Sequence, residues 1–81
     1  SMRNGPEAVR LARRAIELSG GKEARFWAAL DAAYAEIGQF ADAASAARKA
    51  RELALAAGQG AAAESASRRL ELYQRQVPYH Q

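Results

Sequence analysis

His80 is the only histidine of this 81-residue chain, and there is no cysteine. An imidazole is the side chain best suited to moving protons near neutral pH, and a thiolate would add a nucleophile or a metal ligand. His80 follows Pro78 by two residues, and no Gly-x-Ser-x-Gly elbow, phosphate loop or His-Glu-x-x-His pair occurs elsewhere. A free tail histidine is the expectation, in preference to a metal ligand or a catalytic base. Acid, base and nucleophile do not come together in this sequence. No catalysis, no cofactor and no metal are expected.

Other residues point to binding. Asp31 comes one position after the apolar Leu30, where an unpaired carboxylate would be costly to desolvate. It is expected at a helix edge, paired with a basic residue of a neighbouring helix, with a ligand contact as the alternative. Arg10, Arg13 and Arg14, echoed by Arg48, Lys49 and Arg51, form a basic pattern that phosphates could use. Glu7, Glu17, Asp42 and Glu52 interleave with it at helical spacings, and no aromatic residues stand there for base stacking. A solvated, salt-bridged face follows, and nucleic acid is not the expected partner. The net charge of +3, from 12 basic and 9 acidic residues, is spread along the chain. Trp27, Tyr34 and Phe40 could make an aromatic box, but their helical spacing assigns them to core packing.

The elements that hold these residues are helices. Alanine dominates the apolar residues and β-branched residues are scarce, which favours helix over sheet. Pro6 and Glu7 suit the first turn of a helix whose apolar positions are Ala8, Leu11, Ala12, Ala15 and Leu18. Ser19-Gly20-Gly21 ends it. A second helix is expected from about 22 to 37, stopped by Gly38, and a third from Phe40 to about 57. Gly58-Gln59-Gly60 breaks the third helix before a fourth, roughly 61–76, and Pro78 blocks continuation into a short extended tail. Connections this short force an up-down-up-down order. Trp27, Leu30, Tyr34, Phe40, Leu53, Leu70 and Tyr73 are the expected core. No apolar run approaches the ~18 residues of a membrane span and no secretory h-region follows the N-terminus, so membrane insertion is not expected. The lack of cysteine excludes disulfides without fixing a compartment.

Trp27, Leu30 and Tyr34 stand three and four residues apart, followed by Gly38, Phe40 and the alanine ridge Ala43, Ala47 and Ala50. This stretch, residues 24–53, resembles the tetratricopeptide repeat (TPR), whose signature runs W-x2-L-G-x2-Y, then an alanine, an aromatic and a proline. Shifting Glu7–Leu18 by 35 residues lays it on Asp42–Leu53 with six identities in twelve, Ala8, Ala12, Arg13, Ala15, Glu17 and Leu18 meeting Ala43, Ala47, Arg48, Ala50, Glu52 and Leu53. That family's period is 34. The chain departs from the pattern at Asp31, where the family has glycine or alanine. It departs again at Ala47, usually a large aromatic or aliphatic residue, and at Leu55, usually proline.

The resemblance implies an all-α fold, an antiparallel helical repeat or α-solenoid fragment of about four helices. Residues 5–20 would be the second helix of a truncated repeat, 22–57 a complete pair and 60–77 a capping helix; 78–81 form a tail and 1–2 a tag remnant. It implies a non-catalytic protein–protein interaction module that binds a partner helix or peptide. The family's concave groove maps onto Arg25, Ala28, Ala29, Ala32, Ala35 and Glu36. Ala28 and Ala32 lack the donors of a carboxylate clamp. These alanines therefore make either a shallow apolar groove that admits another helix or simply good helix formers on a solvated face. A half repeat would also leave Ala8, Val9, Ala12, Ala15 and Ile16 uncovered, which implies self-association as a homodimer through the N-terminal helix. A third reading comes from the Gly20-Gly21-Lys22 turn and the closing Pro78-Tyr79. They are similar to terminal repeats of large bacterial proteins, including glycosyltransferase-like ones, and imply a non-catalytic C-terminal appendage of a larger bacterial enzyme.

Overall fold

The computed structural model describes residues 5–77. Four helices occupy them: α1 (Gly5–Leu18), α2 (Ala24–Glu36), α3 (Phe40–Ala56) and α4 (Gly60–Gln76). No strand occurs among the described residues. Each helix packs on its neighbour in the chain, so α2 is flanked by α1 and α3, and α3 by α2 and α4. The expected boundaries hold to within two residues. The expected tag remnant at 1–2 and the tail at 78–81, with His80, lie outside the described residues.

Three helices end by the same device. Gly20, Gly38 and Gly58 have φ of +82°, +79° and +72°, the left-handed region that glycine enters without strain. The following N–H then reaches back to a carbonyl five residues earlier: Gly21 to Ile16 at 2.8 Å, Gln39 to Tyr34 at 2.9 Å and Gln59 to Ala54 at 2.8 Å. These bonds satisfy carbonyls that the helix leaves without partners. They also turn the chain within the few residues available.

Alanine carries the core. Of the twelve buried apolar residues among those described, ten are alanines, and only Leu30 and Tyr73 are larger. Six of those alanines, Ala43, Ala44, Ala46, Ala47, Ala50 and Ala54, belong to α3, the helix that α2 and α4 both cover. Small contact residues let helix backbones come close. Bulky side chains are then pushed to the margins of each contact. Of the expected core, Leu30 and Tyr73 are buried, and Trp27, Tyr34, Phe40 and Leu70 pack against the buried clusters with part of their surface open, as Leu53 also has. Trp27 still has a fixed place, since its indole N–H donates to the Gly21 carbonyl at 3.0 Å.

Candidate functional site

Asp31 is the most deeply buried polar residue described, with 0% of its surface exposed. It is therefore no helix-edge residue. The expected partner on a neighbouring helix is Arg69 of α4, whose Nε lies 3.0 Å from Oδ1 and whose second terminal nitrogen lies 3.0 Å from Oδ2. Tyr73 Oη donates to Oδ1 at 2.8 Å, and the other terminal nitrogen of Arg69 donates to Ser65 Oγ at 2.8 Å. The carboxylate is thus held by a two-pronged guanidinium contact and a phenol, the arrangement that compensates for desolvation. Hydrogen bonding to Asp31 raises the pKa of Arg69 above its ordinary value, while burial pulls the other way.

The same cluster makes alkaline stability depend on Tyr73. Burial, then its hydrogen bond to Asp31 and the charge there, push the phenol up to about 12. An unfolded chain ionises tyrosine near ~10. The folded state therefore favours neutral Tyr73, a contribution complete below pH ~10 and lost as pH rises toward about 12. Tyr73→Phe is expected to flatten the decline of stability across that window, read from urea midpoints at pH 9 and pH 11. Parallel declines for the two proteins would show that Tyr73 ionises as readily folded as unfolded.

Beside this cluster α2 and α4 border a groove of about 230 Å³, lined by Ala24, Arg25 and Ala28 of α2, Ala50 of α3, Gln59, and Ala62, Ser65 and Arg69 of α4. Its walls are methyl groups, hydroxyl and amide, with two guanidiniums along it. Arg25 also stacks over the Phe26 ring, 4.8 Å from its centroid. Of the six residues expected to line one groove, only Arg25 and Ala28 do so here. Ala29, Ala32, Ala35 and Glu36 border a separate, more open depression with Ala8 and Ala33. The α4 contributors, Ala62, Ser65 and Arg69, were not foreseen; the Ala61-Ala62-Ala63 run was their one sequence signal.

The α1 expectation needs correction too. Ala12 is buried against Leu30 and Ala46, with Val9 and Ile16 packed on the same cluster, while Ala8 and Ala15 are half-buried. The strip meant to be uncovered is the one α2 covers. The uncovered apolar residues of α1 are Leu11, 57% exposed, and Leu18, 75% exposed. They lie on an adjacent face, in line with Ala8 and Ala15 at spacings of three and four. The basic pattern is solvated as expected, but it is not the expected salt-bridged face: Arg10 pairs with Glu7, and no ion pair is seen at Arg13, Arg14, Arg48, Lys49 or Arg51 among the described residues. No helix among the described residues is long and apolar enough to cross a membrane.

No family model, curated protein or solved structure matches the chain. The tetratricopeptide resemblance therefore stands on residues 24–53 and the 35-residue recurrence.

Proposed function

We propose that the chain is a non-catalytic protein–protein interaction module of tetratricopeptide type, which takes a partner helix or peptide into the groove between α2 and α4. The observation that carries this reading is the lining of that groove, which Ala24, Ala28, Ala50 and Ala62 share with Arg25, Ser65 and Arg69. Methyl-lined walls let a partner's backbone approach, and the exposed Arg25 guanidinium and the Ser65 hydroxyl supply donors that orient it, while Arg69 stays engaged with Asp31. Binding comes from apolar surface buried in the groove, with peripheral charge setting direction. No step of this reading needs a metal, a cofactor or a reacting group, and its partner is a protein or peptide in preference to a nucleic acid.

The test is a display selection of short peptides against the folded chain, followed by calorimetry on the selected sequences. Ala28→Arg fills the groove from its α2 wall. It is expected to weaken selected peptides at least tenfold while the circular dichroism spectrum is unchanged. Peptides that bind wild type and Ala28→Arg equally would place recognition elsewhere.

A second reading, self-association, is favoured by Leu11 and Leu18, which leave an apolar stripe on α1 uncovered. In that case sedimentation of the wild-type chain would depend on concentration, and Leu11→Glu would abolish the dependence. A role as an appendage of a larger enzyme is compatible with either reading.

A further inference from the structure

A second cleft opens on the other side of α2, between α1 and α3. It measures about 380 Å³ and is lined by Arg13, Ile16 and Glu17 of α1, Trp27, Leu30 and Tyr34 of α2, and Asp42, Ser45 and Ala46 of α3. That volume suits a small ligand or a single side chain. Its lining divides by chemistry. Ile16, Trp27, Leu30, Tyr34 and Ala46 make an apolar and aromatic floor, while Arg13, Glu17, Asp42 and Ser45 are exposed and form the rim.

Two features set this cleft apart from ordinary surface. Trp27 and Tyr34 are only half-buried, although both belong to or pack against the core. Their uncovered area is the floor. The polar groups around it are also uncommitted: among the described residues, Tyr34 Oη, Ser45 Oγ and the Glu17 and Asp42 carboxylates make no hydrogen bond or ion pair. The Trp27 indole N–H, by contrast, is spent on the Gly21 carbonyl, so the ring offers the cleft its carbon surface and not a donor. Two carboxylates on facing helices against a single guanidinium leave the rim net negative. Aromatic faces attract cations, and apolar walls take up a hydrocarbon stem.

We propose that this cleft is a binding site for a primary ammonium carried on an unbranched apolar stem. The stem would lie on Trp27, Leu30 and Tyr34, and the ammonium would be held between Glu17 and Asp42, with the Tyr34 and Ser45 hydroxyls as further acceptors. An ammonium has three donors and no acceptor, which matches a rim of carboxylates and hydroxyls. A carboxylate on the same stem would face two like charges. The chemistry is shared by a lysine side chain of a partner protein and by a free alkylamine. This site uses a different side of α2 from the α2–α4 groove and does not depend on the function proposed for that groove.

Trp27 is the only tryptophan, so its emission and its indole N–H resonance report directly on the floor. The probe is n-pentylammonium chloride, titrated into the full chain beside 1-pentanol and sodium pentanoate. Pentylammonium is expected to bind with Kd on the order of 1 mM, as suits so few atoms, and to shift the Trp27 signals. Pentanol and pentanoate are expected to be at least tenfold weaker. Glu17→Gln combined with Asp42→Asn changes exposed groups only and should reduce pentylammonium to the level of pentanol. Arg13→Gln should tighten pentylammonium severalfold. Nα-acetyl-lysine N-methylamide separates the sources: equal or tighter binding names a partner's lysine, and much weaker binding names a free amine. Equal binding of pentanol and pentylammonium, no loss in the double variant, or shifts that bypass Trp27 would each overturn the assignment. Ala28→Arg should leave this titration unchanged, so failure here and failure at the α2–α4 groove are separable.

Discussion

Arg69→Ala is expected to cost about 3–5 kcal/mol, the range for removing one partner of a buried ion pair. A domain of this size seldom has more than ~3–5 kcal/mol in all, so the variant should be largely unfolded at room temperature. The cost arises at Asp31. With no exposed surface and three of its four nearest donor contacts supplied by Arg69, its carboxylate would keep only the Tyr73 hydroxyl. Water would have to enter, or the α2–α4 contact would have to open. The ion pair itself need not stabilise the fold relative to apolar residues. Asp31→Leu combined with Arg69→Met should therefore recover part of the loss, since it removes both charges and keeps the volume, the remainder being the Tyr73 hydroxyl left without its acceptor. Urea midpoints of the two single variants and the double variant complete the cycle. An Arg69→Ala midpoint within ~0.5 kcal/mol of wild type, a typical surface effect, would mean that Asp31 is wetted and that the pair is peripheral.

Asp31 also marks how far the sequence could be read. That a carboxylate beside Leu30 needs a cation follows from solvation alone, and it foretells a basic partner on another helix. Which cation it meets does not follow, because Arg69 is 38 residues away and no local pattern links them. Helix ends were legible for the opposite reason: Gly20, Gly38 and Gly58 act within one turn of the residues they cap. Burial was legible only in part. Hydrophobicity ranks Trp27, Phe40 and Leu70 above Ala43 or Ala46, yet close helix contact favours the methyl groups and leaves the large side chains at the edges. On α1 the periodicity is real, but it serves two adjacent faces. Only the position of α2 decides that Val9, Ala12 and Ile16 are covered and that Leu11 and Leu18 are not. The candidate groove was half visible, since α2 supplies Arg25 and Ala28 while its other wall belongs to α4.

Ala47 offers the second large effect, because there the tetratricopeptide pattern and this molecule disagree. The resemblance leads to a large aromatic or aliphatic residue at that position, and a consensus substitution would be Ala47→Phe. Here Ala47 has no exposed surface and packs in one cluster with Ala43, Ala44 and Tyr73. The Tyr73 ring comes from α4 and is tilted 37° to Phe40 at 6.5 Å. Its hydroxyl is held by Asp31, itself a departure from the small residue expected at that point. The two departures are thus joined: a small residue at 47 leaves room for the Tyr73 ring, and a carboxylate at 31 receives its hydroxyl. Ala47→Phe must displace that ring, and is expected to cost roughly 3 kcal/mol, the upper end for overpacking a filled core. Tyr73→Ala should also be destabilising by itself, yet the combined variant should fall short of the summed losses by at least about 1 kcal/mol, because the new ring can occupy the vacated space. Thermal or urea midpoints of the four proteins measure this coupling. Strictly additive losses, or an Ala47→Phe variant as stable as wild type, would show that Tyr73 does not occupy the place of the missing aromatic.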